Sequence, residues 1–405
     1  MTRRRLPRWR EVAPLIGGDV VSLPSTRRRL ARAASIPDLR DLARRRTPRA
    51  VFDYTDGAAG EEIALGRARS AFARVEFTPR VLRDVSAVDP ATSILGRPSA
   101  YPFAFAPTGF TRMMGHEGEI AVAEVAREMG IPYALSTLGT TSMESLRAAV
   151  PDGRMWFQLY ISKDRAVARE LVDRASASGF EAIIMTVDTP IGGTRHRDVR
   201  NGLTIPPQLD ARTLLDMSRY PSWWLNLLTT EPLHFASLTS SEGTVAELLT
   251  RVFDPSLTPR DLEWLRGVWA GPIIVKGVQS VADAVLLADL GVDAVVLSTH
   301  GGRQLDRTVA PLEILPAVVA AVAGRTSVWL DSGVTSGGDI VAALAFGADV
   351  VLVGRAYLYG LMAGGQAGVQ RAAEILAGQV TETMALLGAA TVSELGGEQV
   401  RLRPE

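Results

Sequence analysis

Cysteine is absent from this chain of 405 residues, which removes disulfides, thiolate-bound zinc, iron–sulfur clusters and thiol nucleophiles together. Catalysis must rest on oxygen or nitrogen groups, or on a bound cofactor. Lysine is almost as scarce, since of 44 basic residues only Lys163 and Lys276 are lysine. No stretch reaches the ~20 uncharged apolar residues needed to cross a bilayer. The most apolar region, Ile340–Gly364, is broken by Asp349 and Arg355. Hydrophobic residues make up 47%, charged residues 22% and aromatic residues 6%, proportions that exclude global disorder, collagen-like repeats and coiled coils.

Net charge is zero but unevenly spread: Met1–Ala50 holds fourteen arginines and four acidic residues, leaving the rest about ten charges negative. The chain therefore divides into a basic extension, 1–50, and a larger unit, 51–405. The start, Arg3-Arg4-Arg5-Leu6-Pro7-Arg8, is similar to a twin-arginine signal, yet no apolar stretch or small-residue cleavage site follows, so a cytoplasmic protein is expected. A solvated tail is the simplest account of such a head. An anionic membrane face is the partner kept in view, at the inner side of the cell membrane, and no nucleic acid is expected.

From about Tyr101 a unit recurs: a short apolar run, a Gly- or Ser-containing turn, then apolar residues at helical spacing. Eight strands are expected at Phe103–Ala106, Tyr133–Ser136, Trp156–Tyr160, Ile183–Val187, Ile273–Lys276, Ala294–Leu297, Val328–Leu330 and Val350–Val353. Helices are expected at Gly118–Met129, Asp164–Ser178, Val281–Leu290, Leu312–Val322 and Asp339–Phe346, with a closing helix at Gly365–Leu387. Uninterrupted apolar strands imply a parallel sheet covered on both sides, and eight such units close into an α/β (β/α)8 TIM barrel. Ser35–Gly60 and Arg67–Phe77 are helical lead-in segments, placed to plug the lower end or to edge the mouth. Between strands four and five lie roughly eighty residues, an insertion long enough to imply function.

Barrels carry their sites at the carboxyl ends of the strands, and here that rim is crowded. Thr108, Ser136, Gln158, Tyr160, Thr186, Asp188, Lys276, Ser298, His300, Arg303, Asp331 and Arg355 all stand at or just past a strand end. Lys276 closes a buried run in a chain that otherwise selects arginine, so a compact ammonium is required there. It either stabilises anionic density on a cofactor or forms a Schiff base. His300, between Thr299 and two glycines, suits proton abstraction, with Asp188 to fix its tautomer. Arg303 and Arg195 fit a carboxylate clamp, because the guanidinium fork matches two carboxylate oxygens. Leu330-Asp-Ser-Gly and Val353-Gly-Arg, on the last two strands, suit a phosphate-bearing cofactor. Nothing suggests a metal.

Phe52-Asp-Tyr, Ala106-Pro-Thr-Gly, Leu135-Ser-Thr-Leu, Phe157-Gln-Leu-Tyr, Thr186-Val-Asp-Thr-Pro, Val275-Lys-Gly, His300-Gly-Gly-Arg-Gln-Leu-Asp and Gly354-Arg occur in that order between about Ala50 and Leu395. In this the chain resembles the FMN-dependent 2-hydroxy acid oxidase and dehydrogenase family. The head, Ala50–Gly60 and Met362–Gly368 look closest to its bacterial quinone-linked L-lactate dehydrogenases. The resemblance implies that Pro107, Thr108, Gly109, Ser136, Gln158, Thr186, Lys276 and Ser298 line the isoalloxazine and ribityl chain of FMN. Lys276 would face N1 and the C2 carbonyl, and Asp331, Ser332, Gly333, Gly354 and Arg355 would hold ribityl and phosphate. Tyr54, Tyr160, Arg195 and Arg303 would bind substrate, His300 would take its proton, and Asp188 would support the imidazolium. The resemblance also implies a homotetramer. Three positions depart from the family pattern: Thr299 replaces asparagine, Thr335 replaces a phosphate-binding arginine, and Ser332 replaces glycine. Phosphate binding is therefore expected to lean on Arg355.

The activity implied is oxidation of an L-2-hydroxy acid to a 2-oxo acid, with electrons passing from flavin N5 to quinone or another acceptor. Leu138 and Gly109 near the flavin favour lactate. An oxygen-using oxidase, a Schiff-base aldolase on Lys276 and a non-catalytic barrel tethered by its basic head are the alternatives. In the insertion, Leu214-Leu-Asp-Met and Tyr220-Pro-Ser-Trp-Trp-Leu-Asn-Leu-Leu form either a packed lid or subunit contact, or a membrane-interface patch.

Overall fold

Short runs of valine, isoleucine, leucine and alanine, each ending in a polar residue, build eight parallel strands. They are β1 (Phe103–Phe105), β2 (Tyr133–Ser136), β3 (Met155–Leu159), β4 (Ala182–Thr186), β5 (Ile273–Val278), β6 (Ala294–Leu297), β7 (Ser327–Leu330) and β8 (Val350–Val353). In this computed structural model, which describes residues 25–202, 216, 218–238 and 252–404, each strand pairs with the next and β8 pairs with β1, closing the barrel. The sequence placed every strand within two residues of its observed ends.

Alternation along the strands sends one set of side chains inward and the other onto the surrounding helices. Trp156 of β3 and Trp329 of β7, both fully buried with ring centroids 5.1 Å apart, fill the interior. Ala104, Ala134, Ala182 and Ala294 on other strands leave room for them. The lower end is plugged by a hairpin, Thr92–Ile94 with Arg97–Ser99, whose Ile94 joins that inner cluster. Sequence periodicity gave no sign of it. Of the two positions open to the lead-in segments, the structure shows the mouth: Tyr54, Thr55, Leu65 and Arg69 line the cavity there.

The helix Ile36–Arg46 starts at Ser35, whose side chain accepts from the Asp38 amide while Asp38 returns the bond. It buries Ile36, Leu39 and Ala43 against the closing helix, Arg355–Leu387. That closing helix begins ten residues earlier than its periodicity suggests and is broken at Gly364 and Gly365. The break folds its two halves so tightly that a Cβ on Gly360 would lie 2.3 Å from the Gly368 carbonyl oxygen. Three described helices, His196–Arg200, Pro221–Leu228 and Pro259–Val268, occupy the insertion, and Met143–Ala149 connects β2 to β3. Pro259–Val268 carries a start signal that periodicity overlooked, Thr258 reciprocally capped with Asp261 and proline in the first turn.

Two glycines of the closing helix test this packing. Gly368→Ala should lower unfolding free energy by about 1–3 kcal/mol, the usual cost of forced overpacking. Gly378→Ala, where an added Cβ meets nothing within 4 Å, should be neutral or stabilising by up to ~1 kcal/mol. Denaturant titration of both variants reads the difference, and equal effects would refute the close approach.

Candidate active site

A cavity of about 420 Å³ opens at the carboxyl ends of the strands. It is lined by Pro107, Thr108, Gly109, Ser136, Gln158, Thr186, Lys276, Asp331, Ser332, Gly333, Gly354 and Arg355, and by Tyr54, Tyr160, Arg195, His300 and Arg303. Asp188 and Ser298 stand one layer behind, touching His300 and Lys276. The residues singled out in the sequence thus converge on one space. Sequence reasoning missed Thr55, Leu65 and Arg69 from the lead-in, and the apolar group Phe110, Met114, Phe235 and Phe253. Most of these lie far from any strand end, where rim logic does not look.

Lys276 is buried with Nζ 2.9 Å from Asp331 Oδ2 and 3.0 Å from Ser298 Oγ. Burial opposes its charge, but Asp331 and Asp188 outweigh burial and hold its pKa above the ordinary lysine value. It is a permanent ammonium. A Schiff-base nucleophile needs the opposite shift, toward the free amine, so the geometry argues against the aldolase alternative. Directly after Lys276 the strand bulges at Gly277, whose φ is +107°. A Cβ there would come 2.6 Å from Asp188 Cβ, so glycine is what lets Asp188 close against β5.

His300 Nδ1 lies 3.0 Å from Asp188 Oδ1. A carboxylate only accepts, so Nδ1 carries the hydrogen and Nε2 keeps its lone pair. Although burial pushes the other way, His300 and then Lys276 hold Asp188 ionised, with its pKa lowered. His300 itself sits at φ +55°, an uncommon conformation for a side chain of this size. Its amide donates to Ser298 Oγ at 2.9 Å, the hydroxyl that also receives Lys276. Two of the departures from the family pattern brace this turn. Thr299 Oγ1 accepts from the Gly302 amide at 3.2 Å, and Ser332 Oγ accepts from the Thr299 and Gly301 amides at 3.1 and 3.0 Å.

Arg303 and Arg195 lie over the Tyr54 ring, at 4.6 and 5.4 Å from its centroid. Arg195 is steadied by Asp198 at 2.6 Å. Arg303 donates to the carbonyls of Tyr54 and Gly57, with no acidic partner among the described residues. Loss of water, and then the nearby Arg195, push its pKa down to about 10. This is a site with surplus positive charge and forked donors, suited to a small carboxylate.

Farther along the cavity, the closing helix starts at Gly354 with no side-chain cap, leaving its first amides free. Arg355 spans to the lead-in, donating Nε to Thr55 O at 2.9 Å and Nη2 to Gly57 O at 2.8 Å. Between the two ends, Gln158 Nε2 donates to Thr186 Oγ1 at 3.0 Å and Ser136 Oγ to Gln158 Oε1 at 3.1 Å. Free amides and a cation at one end, hydrogen-bonding side chains in the middle and an ammonium at the wall match the phosphate, ribityl and ring of FMN in turn.

Residues 43–402 match the sequence profile of the family described as FMN-dependent dehydrogenase. The chain is 53% identical over 397 residues to a Mycobacterium tuberculosis protein named "Putative L-lactate dehydrogenase", covering 98% of this chain and 96% of that one. It is 40% identical to an L-lactate dehydrogenase of Caulobacter vibrioides, over 89% of this chain and 96% of that one. Among solved structures, the monotopic membrane protein (S)-mandelate dehydrogenase superposes with a TM-score of 0.88 at 35% identity, covering 92% of this chain and all of that one. This chain belongs to the FMN-dependent dehydrogenase family, as an oxidoreductase that acts on 2-hydroxy acids.

Proposed function

We propose that this chain oxidises L-lactate to pyruvate at the barrel mouth and passes the electrons to a quinone held in the membrane. The observation that carries the reading is one space containing both a two-arginine carboxylate hole, Arg303 and Arg195 across Tyr54, and a histidine with its free nitrogen oriented by Asp188. FMN fits the donor set, with Gly354, Arg355, Ser332 and Gly333 at the phosphate, Asp331 at the ribityl chain, and Pro107, Thr108, Gly109, Ser136, Gln158 and Thr186 along the ring and chain. When bound, FMN supplies the acceptor for the two electrons that leave the substrate carbon. Arg303 and Arg195 fix the carboxylate, which leaves the hydroxyl-bearing carbon between Tyr160 and His300. His300 Nε2 takes the proton released in the oxidation, and ionised Asp188 stabilises the imidazolium that results. Lys276, held charged by Asp331 and Asp188, keeps positive charge at the polar edge of the cofactor site throughout.

A second reading concerns substrate size. Phe110 and Phe235 pack edge to face at 4.5 Å, Phe253 packs edge-on to Tyr160 at 5.1 Å, and all line the cavity with Leu138 and Met114. Such a wall would also accommodate an aryl 2-hydroxy acid, and solved relatives at 38% identity include a mandelate oxidase. Comparing kcat/KM for L-lactate and (S)-mandelate decides between the two.

The membrane half of the proposal rests on the helix Pro221–Leu228. Trp223 does not face out: its Nε1 donates to Met113 O at 3.0 Å and its ring packs on the core. Leu225 and Leu228 are 48% and 74% exposed. The packing of Trp223 supports the lid reading for that ring, and the exposed Leu225 and Leu228 are what supports membrane contact. Of the surrounding motif, Leu214, Leu215 and Met217, like the arginines of residues 1–24, lie outside the described residues. No described helix is long and apolar enough to span a bilayer.

Two experiments follow from this reading. Anaerobic L-lactate should bleach the flavin spectrum, and His300→Gln should slow that bleaching by about 10²–10⁴-fold with flavin still bound. An unchanged spectrum with every 2-hydroxy acid tried would overturn the activity. In vesicle co-sedimentation, Leu225→Ser combined with Leu228→Ser should lower the bound fraction severalfold on anionic vesicles. Equal partitioning, with fast peroxide formation in air, would favour an oxygen-using oxidase instead.

A further inference from the structure

Arg69 stands on the lead-in helix Ile63–Ala73, outside the barrel, yet its side chain lines the cofactor cavity beside Gly333, Thr335 and Arg355. It also lines an adjoining cavity of about 400 Å³ that shares Thr335 and Arg355. Arg69 is part-buried and makes no hydrogen bond or ion pair among the described residues. That is unusual here, because its cationic neighbours are all engaged. Arg40 is held by Asp56, Arg197 by Asp56 and Glu62, and Arg355 by two backbone carbonyls.

The acids that border the adjoining cavity, Asp56 and Glu62, are thus already committed to other arginines. Thr335 cannot contribute charge, and both its amide and its hydroxyl are directed to Asp339, at 2.7 and 3.2 Å. Burial, with Arg69 among the opposing charges, lowers the pKa of Arg355. Arg69 and Arg355 face one part-buried space and repel each other, while the acids that border it are bonded to other cations, so the arrangement becomes more favourable when an anion enters. A phosphate monoester brings a charge of about −1.5 to −2 at neutral pH and three acceptor oxygens. Arg355 already spends Nε and one Nη2 hydrogen on carbonyls, and its Nη1 lies where a Cβ on Gly301 would approach it to 2.7 Å. One guanidinium already committed to backbone carbonyls is only a partial match for that charge, whereas Arg69 brings a complete unused fork.

We infer that Arg69 is the second phosphate-binding cation of the FMN site, reaching in from the lead-in helix to complete what Arg355 begins. The inference rests on FMN being the resident flavin and adds the residue that discriminates FMN from riboflavin, which lacks the phosphate.

The test equilibrates holoenzyme with mixtures of FMN and riboflavin, then separates the bound flavins by chromatography after denaturation. Wild type should retain FMN in strong preference. Arg69→Gln should reduce that preference at least tenfold while the protein still binds flavin, and Arg69→Gln combined with Thr335→Arg, which places a new fork on the same space, should recover most of it. Arg69→Ala, which leaves no polar group behind, is read in the same way and guards against a misfolded glutamine variant. An unchanged preference in a folded Arg69 variant would overturn the inference and leave the flavin assignment standing. Wild type that retains no FMN would instead overturn the flavin assignment itself.

Discussion

A single carboxylate, Asp56, holds the mouth of this barrel together. It is buried at 5% exposure, yet receives Arg40 Nη2 at 2.8 Å, Arg197 Nη1 at 3.0 Å and the Tyr359 hydroxyl at 2.9 Å. Burial alone would raise its pKa, but Arg40 and Tyr359 dominate and hold it down at about 2. The three donors come from the lead-in, the insertion and the closing helix, segments distant in sequence that this one carboxylate joins. Breaking a buried charge cluster by removing one member commonly costs about 3–5 kcal/mol, because the remaining charges are left without solvent or partner. Asp56 ends the helix Arg49–Asp56, and the carbonyls on either side of it are those that receive Arg303 and Arg355. Tyr54, on which both clamp arginines lie, is two residues away. The segment that receives Arg303 and Arg355 is therefore held in place by one buried carboxylate.

Within the cavity the charges divide into resident and vacant. Lys276 is neutralised by protein carboxylates, and His300 is held by Asp188. Among the described residues, Arg303 bonds only to carbonyls and Arg69 makes no hydrogen bond or ion pair. A folded protein tolerates such unmatched cations mainly where binding supplies the counter-charge. In the reading proposed above, Arg303 would receive a carboxylate and Arg69 a phosphate. Lys276, compensated by Asp331, can keep its charge without depending on what is bound.

How far the sequence revealed this follows from where each signal lives. The eight strands were legible because a parallel strand buried on both faces must be apolar along its whole length, and a polar residue then marks its end. The rim residues were legible for the same reason. The plugging hairpin was not, since Ile94 is its one fully buried apolar side chain and its strands are only three residues long. Met143–Ala149 is a seven-residue helix, too short for periodicity to register. Arg69 and Asp56 were invisible for a different reason. Each looks like an ordinary charge on a helix, and only tertiary placement makes one a cavity wall and the other a strut. The two tryptophans of the insertion could be read as a pair, but backbone geometry turned Trp223 inward and left the leucines outside.

The arginine bias of the composition acquires a physical meaning in this setting. Arg40, Arg154, Arg165, Arg174 and Arg197 each make contacts from more than one guanidinium nitrogen, joining segments that no strand pairing connects. A planar fork with fixed donor directions can bridge two acceptors at once, whereas an ammonium must choose its geometry anew with each rotamer. Long loops and peripheral helices have few backbone bonds to spare for docking onto a barrel, and forked side chains provide them. Lys276 is the exception for the converse reason. Its task is to present compact charge inside a crowded wall, where a guanidinium would need space now filled by Ser298, Asp331 and the bulge at Gly277. The same preference that builds the outer scaffold from arginine thus singles out the one buried position where a fork would not fit.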